Sequence, residues 1–364
     1  MVTDSIKNTF LSLIRIGIGH PVAIVPESID WESMRSLATK QGLLAIVLDG
    51  AQRLTDQGEL IDGRAMDSKL KKTWIGSSIQ NYEWKYKEYQ NRIGQLAQFY
   101  NEHGFRLMIL KGYGLSLNYP IPQHRPCGDI DIWAFGKYRE ADEAISRELK
   151  IPIDSSHHHH TTFSYRDYLV ENHYDLINVH YGHRNAALEK ILKKLAMDDS
   201  VKISIDGEVV YLPTANLHAL FLLRHTMLHF ASTEMKLRQV LDWGFLIEKH
   251  RTEIDWPWLM HILDEYHMTD FFYCLNAICI EDLGFDMSVF PLSHFDIALR
   301  ERVLNDTLSP EFTGETPASF LKRILFKYRR WQANAWKQNL CYGDNRFMSF
   351  LTGVRGHLMK PGMI

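Results

Sequence analysis

Two aspartates preceded by a glycine are the residues of this chain best suited to chemistry. Gly128-Asp129-Ile130-Asp131 reads as the start of a strand, where side chains alternate, so Asp129 and Asp131 share one face. Two carboxylates on one face form an all-oxygen anionic site, which Mg²⁺ prefers and completes with water and phosphates. Because Ile132 and Trp133 are apolar, we expect a buried strand, where adjacent like charges need a cation. The alternative is a polar strand end at a surface, since a bare Asp-x-Asp is common.

Lys111-Gly112 lies upstream of the aspartates and ends the short, mostly apolar run 105–110. This pattern is typical of a buried strand that runs into a turn. A glycine in such a turn lets the backbone approach a phosphate closely. The glycine and the aspartates together indicate an enzyme that handles a nucleoside triphosphate.

The rest of the chain has to position these residues, and its patterns predict an α+β fold. Residues 1–95 read as a helical N-terminal region, 96–214 as an α+β core and 215–364 as a C-terminal helical domain. A long helix is predicted from about Ser68 to His103, and further helices over 137–149, 215–230 and 235–250. Strands are predicted over 105–110, 129–134, 161–165 and 174–181, and a hairpin over 201–212 around Asp206-Gly207.

Composition and charge limit the binding partners and the cellular location that we expect. A net charge of −3 gives no global attraction to nucleic acid. The longest apolar stretches, such as 43–48, are too short to cross a bilayer, so we expect no membrane partner. The four cysteines are scattered and form no CxxC pair, which favours a reducing, cytoplasmic location.

The order of several motifs resembles the uncharacterised bacterial nucleotidyltransferase family of the DNA polymerase β superfamily. The motifs lie within about residues 90–250 and are Leu110-Lys111-Gly112, Tyr119-Pro120, Arg125 and Gly128-Asp129-Ile130-Asp131-Ile132. Asn178-Val179-His180-Tyr181 resembles that family's Glu-x-His-Trp strand. The later helical stretch is also similar, through Pro213, Leu217, His225, His229 and Leu237-Arg238-Gln239-Val240-Leu241-Asp242.

This resemblance implies a minimal nucleotidyltransferase core, a small mixed sheet with flanking helices. It implies an NTP donor and Mg²⁺, which Mn²⁺ can replace, on Asp129 and Asp131. The acceptor hydroxyl belongs to a small molecule, a protein or an RNA, and nothing in the sequence selects among them. The residues that the resemblance brings to the substrate are Lys111, Gly112, Tyr113, Arg125, Gly128 and His180.

The third carboxylate of the superfamily is where the chain departs from the pattern. The matching position is Asn178, which strand parity places on one face with Leu176 and His180. An amide oxygen can coordinate a metal but brings no charge. The alternative to an enzyme is therefore a catalytically degenerate nucleotide-binding or interaction protein with the same fold.

The remaining histidines and basic residues have simpler interpretations. We expect His157–His160 to form an exposed loop with incidental metal affinity. His180 and His183 are candidate ligands, although we favour His180 as a polar residue beside the site. His225 and His229 have the spacing of a zinc-protease helix, but Thr226 stands where that motif needs a glutamate, so we assign them to hydrogen bonding in the core or between domains. The basic stretch 321–336 predicts an amphipathic helix with a solvated basic face, which gives a nucleic-acid partner only weak support.

Overall fold

The structure is a computed structural model that describes residues 3–21, 28–58, 65–180, 184–232, 234–291, 295–312, 314 and 316–343. The helices are α1 (Asp4–Ile18), α2 (Trp31–Gln41), α3 (Leu44–Asp56), α4 (Ser68–Ser78), α5 (Lys85–Glu102), α6 (Tyr113–Ser116), α7 (Tyr138–Leu149), α8 (Asn185–Asp198), α9 (Ala215–Ser232), α10 (Leu237–His250), α11 (Trp256–Glu265), α12 (Thr269–Ala277), α13 (Ile297–Leu308) and α14 (Phe320–Tyr342). The strands are β1 (Met108–Ile109), β2 (Ile130–Trp133), β3 (His160–Tyr165), β4 (Tyr168–His173), β5 (Val201–Ile205) and β6 (Glu208–Leu212).

The six strands form one mixed sheet in the order β3-β4-β2-β1-β6-β5. The β2 and β4 strands are parallel, as are β1 and β6, and the other neighbours are antiparallel. The α+β fold class expected from the sequence is confirmed, with helices before, within and after the sheet. The parallel register places Asp131 directly opposite Glu171.

Two hairpins form the edges of the sheet, and both turns have positive φ at two consecutive residues. Asp206 and Gly207 have φ of 52° and 90°, as the predicted hairpin requires. Arg166 and Asp167, with φ of 47° and 73°, make the equivalent turn between β3 and β4. Because arginine is not a residue that favours positive φ, this second turn has no clear sequence signal, and β4 was not predicted.

The strand predicted over 174–181 is wrong for residues 174–180, which form bends and turns, and residue 181 lies outside the described residues. The backbone N–H groups of Leu176 and Ile177 donate to the carboxylate of Glu189 on α8, at 2.8 and 3.0 Å. A side chain therefore satisfies these donors where a neighbouring strand would have done so.

The long helix predicted from residue 68 is confirmed. It runs through α4, a π-helical segment Ile79–Trp84 and α5, and it stops at His103-Gly104, where Gly104 has a φ of 71°. The predicted helices over 137–149, 215–230 and 235–250 correspond to α7, α9 and α10. None of the described helices is long and apolar enough to cross a bilayer.

The sheet has a hydrophobic core on each face, and strand alternation divides the residues of β2 between them. Ile130 and Ile132 pack with residues of α5 and α7. Trp133 packs on the other side, in a core that the N-terminal and C-terminal helices share. Asp131 has the parity of Trp133, so its carboxylate lies on the face that these helices cover. The division of the chain into domains at residues 1–95, 96–214 and 215–364 remains a prediction.

The last of the described helices is packed over only part of its length. In the second half of α14, Asn334, Lys337 and Cys341 are buried, but Lys337 and Cys341 lie beyond the stretch 321–336 for which the amphipathic helix is predicted. Within that stretch, none of the described side chains of residues 322–333 is buried, and Ile324 and Leu325 are about half exposed beside basic residues. The predicted packing of an apolar face in the core is therefore wrong for these residues.

A buried ion pair joins the segment before β2 to α10. Arg125 donates to both carboxylate oxygens of Asp242, at 2.8 and 2.9 Å, and the hydroxyl of Tyr119 donates to the same carboxylate at 2.7 Å. Tyr119, Arg125 and Asp242 all belong to the motifs that resemble the family, and the structure brings them together in one contact. Burial alone would raise the pKa of Asp242, but the charge and hydrogen bonds of Arg125 outweigh it and lower the pKa.

This pair predicts a large stability effect. Asp242→Asn leaves the buried guanidinium of Arg125 without a counter-ion, so we expect the free energy of unfolding to fall by about 3–5 kcal/mol. Glu88→Gln is the matched control, because Glu88 pairs with Arg92 at a half-exposed site, and its loss should cost no more than about 1 kcal/mol. Chemical denaturation measures both, and equal costs would contradict the structural role given to the buried pair.

Candidate functional site

Two carboxylates and a histidine meet where β2 and β4 lie side by side. Asp131 is 3% exposed, and the Nε2 atom of His173 lies 3.2 Å from its Oδ1 atom. The same Nε2 atom lies 3.5 Å from the Oε2 atom of Glu171. One ligand atom from each of the three residues falls within 4.8 Å of the others, so this acid cluster has the spacing of a metal site.

Lys111 supplies the positive charge that this acid cluster needs. The residue follows β1, and its Nζ atom lies 2.6 Å from Oδ1 of Asp131 and 3.5 Å from Nε2 of His225 on α9. Buried like charges are stable only with compensation. The ammonium group of Lys111 and the imidazole of His173 provide it.

The pKa shifts follow from this arrangement. Burial alone would raise the pKa of Asp131, but the charge of Lys111 and the hydrogen bond from His173 outweigh it, so the carboxyl stays ionised. Burial would lower the pKa of His173, yet its bonds to Asp131 and Glu171 raise it. Glu171 also has a lowered pKa, because hydrogen bonding with His173 outweighs its desolvation. The cluster is thus held in its charged form.

Asp129 behaves differently from Asp131. Asp129 lies just before β2 and is exposed to solvent. The protein atoms around it still desolvate its carboxyl group, and this desolvation together with the charge of Asp131 raises the pKa of Asp129. The two aspartates therefore differ in depth, one inside the sheet and one at its rim. Gly128 beside it is exposed as well, and a Cβ there would meet no atom within 4 Å, which leaves open space next to the carboxylate.

Gly112 directly precedes α6 as its N-cap, in a conformation that other residues rarely adopt, with φ of 55° and ψ of −108°. A Cβ at this position would overlap the hydroxyl of Tyr89. That hydroxyl donates to the backbone carbonyl of Asp129 at 2.7 Å. Tyr89 therefore ties the glycine turn to the start of β2, and the absence of a side chain at residue 112 makes room for it.

Other predicted substrate residues are engaged within the protein. Tyr113 is buried, and its ring packs on that of Tyr86 with 5.8 Å between centroids. The guanidinium of Arg125 is paired with Asp242, as described above.

Asn178 and His180 lie in the bends after β4, away from any strand. The Oδ1 atom of Asn178 accepts from the backbone N–H of His180 at 2.9 Å, and the ring of His180, which is exposed, lies near that of His158. Asn178 lines a small cavity together with His159, Arg224, His225 and Tyr342. The parity argument that assigned it a site-facing position fails, because residues 174–180 form no strand.

Glu171 and His173 are the residues that the sequence reasoning missed. Their signal is present in the sequence, since Glu171-Asn172-His173-Tyr174 is itself a Glu-x-His-aromatic motif. The motif had been matched to the later segment that starts at Asn178. The structure places the earlier copy on β4, with a carboxylate opposite Asp131.

The histidine run is not an exposed loop, and that expectation is wrong. None of His157–His160 is fully exposed, and His160 is buried on β3 opposite His173. His225 and His229 touch each other, with 3.1 Å between their Nε2 atoms, and His225 also reaches Lys111. Burial lowers the pKa of His229 to about 4 and that of His225 further. His183, a candidate ligand from the sequence, lies outside the described residues.

Comparison with known proteins gives one match. The sequence model of a family described as "Uncharacterised nucleotidyltransferase" matches residues 27–283, well over half of the chain. The matched range includes the whole sheet, the acid cluster and the helices α2 to α12, whereas α1, α13 and α14 lie outside it. No curated protein and no solved structure gave a significant match.

The two glycines of the site predict opposite outcomes. We expect Gly112→Ala to lower the free energy of unfolding by about 1–3 kcal/mol, because alanine is strained at this backbone conformation and its Cβ meets Tyr89. We expect Gly128→Ala, where a Cβ meets nothing, to change it by no more than about 0.5 kcal/mol.

Chemical denaturation of the two variants tests this contrast. In a Tyr89→Phe background the cost of Gly112→Ala should shrink but persist, because only the clash is relieved. Equal costs at residues 112 and 128 would show that the turn does not depend on glycine.

Proposed function

The chain belongs to the uncharacterised nucleotidyltransferase family, and we propose that it transfers a nucleoside monophosphate from an NTP to an acceptor hydroxyl. The observation that carries this proposal is the register of two parallel strands, which sets the carboxylates of Asp131 and Glu171 side by side. Lys111, on the turn after β1, reaches the same point. The two carboxylates form an oxygen-rich site, and the ammonium group of Lys111 adds a positive charge next to the turn at Gly112.

The donor set fits a hard divalent cation. We propose that Asp131 and Glu171 would hold Mg²⁺, or Mn²⁺ in its place, with Asp129 joining from the rim. All three offer carboxylate oxygens, which these ions prefer, and phosphate oxygens of a substrate are the usual completing ligands. The buried carboxylate of Asp131 and the partly buried one of Glu171 already require positive charge, which Lys111 and His173 supply in the structure. That requirement is the physical argument for a cation at this point.

The proposed chemistry rests on positioning and electrostatics. Asp131 and Glu171 would hold Mg²⁺, which would supply charge to neutralise the triphosphate and the leaving pyrophosphate. His173 keeps the carboxylates of Asp131 and Glu171 oriented through its contacts with both. Lys111 is suited to binding phosphate oxygens as a point charge. Tyr89 fixes the Gly112 turn against Asp129, and the turn's backbone would face the phosphates.

A degenerate nucleotide-binding protein was the alternative, and its motive was the missing charge at Asn178. Glu171 offers a carboxylate on the strand next to Asp131, which supports the enzyme over this alternative. The acceptor hydroxyl stays open among a small molecule, a protein side chain and an RNA end.

Glu171 and Asn178 are the two candidates for the position of the superfamily's third carboxylate, and substitutions at both test the proposal. Glu171→Gln keeps the shape of the side chain and removes its charge, so we expect Mg²⁺-dependent pyrophosphate release to fall at least about 100-fold. Asp131→Asn should have a similar effect. Asn178→Ala is the matched control and should change the rate by no more than a few fold, because its side chain bonds only the local turn.

The assay supplies each of the four NTPs with pooled small-molecule, protein and RNA acceptors. A variant pattern in which Glu171→Gln keeps full activity and Asn178→Ala loses it would overturn the assignment. Calorimetry with Mg²⁺ and each NTP runs in parallel. Tight nucleotide binding by the wild type, without pyrophosphate release for any acceptor, would favour the binding protein over the enzyme.

A further inference from the structure

Three histidine rings face one another at the end of the β3–β4 hairpin, beside the acid cluster. His160 on β3 is the register partner of His173 on β4, and their ring centroids lie 5.1 Å apart. The ring of His159 lies 4.4 Å from that of His160 and 5.4 Å from that of His173. One nitrogen from each residue falls within 4.8 Å of the other two. We call these three residues the histidine cluster.

The histidine cluster contains buried nitrogens that lack a hydrogen-bond partner among the described residues. His160 is 6% exposed, and neither its Nδ1 nor its Nε2 atom is hydrogen-bonded. The Nδ1 atom of His159 is buried and unpaired as well. Buried polar atoms are nearly always satisfied, because an unmade hydrogen bond costs about 1–3 kcal/mol. Three such atoms in one place indicate that a ligand completes them.

We propose that the histidine cluster is a binding site for a borderline transition-metal ion of the Zn²⁺ class. Imidazole nitrogens are ligands of choice for Zn²⁺, whereas Mg²⁺ prefers oxygen. The carboxylate of Glu171, with its Oε2 atom 3.9 Å from Nδ1 of His160 and 3.5 Å from Nε2 of His173, is the nearest fourth donor. A three-histidine, one-carboxylate set suits four-coordinate zinc chemistry.

The proposed zinc site and the proposed magnesium site are neighbours that share His173 and Glu171. His173 now bonds Asp131 through Nε2 and lies 3.2 Å from the carbonyl of Asp175 through Nδ1. To bind a zinc ion, His173 would give up its present contact with Asp131 if it used Nε2, or with Asp175 if it used Nδ1. The inference itself does not depend on nucleotidyl transfer, because its observations concern ring geometry and unpaired nitrogens.

Adventitious chelation by four consecutive histidines is the rival explanation, and the ring contacts distinguish the two. The ring of His157 stacks on His160, and the ring of His158 lies near His180. Neither belongs to the histidine cluster. A flexible chelating run would use all four residues alike, whereas the proposed site needs His159, His160 and the distant His173.

The experiment uses the full chain, produced without an affinity tag and stripped of metal by a chelator. Calorimetric titration with Zn²⁺ should give one equivalent bound, and Co²⁺ should develop the intense visible absorption of a four-coordinate ion. We expect His159→Ala and His160→Ala each to weaken Zn²⁺ binding at least about tenfold. His158→Ala, from the same run, is the matched control and should bind as the wild type does.

Circular dichroism confirms that each variant is folded. If His160→Ala does not fold, His159→Ala decides, because His159 lies in a bend outside the sheet. The proposal is overturned if the wild type binds no stoichiometric Zn²⁺, or if His158→Ala weakens binding as much as His159→Ala does. The second result would assign the affinity to the histidine run as a whole.

Discussion

The pairing of β2 with β4 is the constraint on which the site depends. Parallel strands in this register bring Asp131 and Glu171 together inside the protein, where two negative charges are unstable without compensation. Lys111 arrives from the turn after β1 and His173 from β4 itself, and both bind Asp131. Four charged or polar groups from three neighbouring strands thus form one unit. The sheet order β4-β2-β1 is what makes their meeting possible.

The surrounding structure holds that unit from two sides. On one side, Tyr89 of the long helix α5 bonds the backbone at Asp129 and fills the space above Gly112. On the other, Arg125 and Asp242 lock the segment before β2 to α10, within the core shared by both helical regions. Motif residues that read as substrate contacts in the sequence can therefore serve the fold. Arg125 is the clearest example, since its charge is already paired.

The sequence was sufficient for the fold class, the long helix, the Asp206-Gly207 hairpin and the buried strand that carries Asp131, because each has a strong local signal in periodicity or turn residues. It failed at β4, because the Arg166-Asp167 turn has positive φ at residues that seldom favour it. Without β4, the Glu-x-His motif is matched to the segment that starts at Asn178, although a Glu-x-His-aromatic pattern is also present at Glu171-Asn172-His173-Tyr174. The burial of His160 depends on strand pairing across the sheet, which a run of four histidines does not reveal.

The central claim is that Asp131 and Glu171 jointly hold a divalent cation against a polyphosphate. The most direct measurement is a crystal structure with Mn²⁺ and a non-hydrolysable NTP analogue, in which anomalous scattering locates the metal. The account predicts a manganese peak bonded to carboxylate oxygens of both residues and to phosphate oxygens, with the ammonium of Lys111 moved from Asp131 towards the nucleotide. A structure in which the nucleotide is bound elsewhere, with the contact between Lys111 and Asp131 intact and no manganese between the two strands, would contradict it.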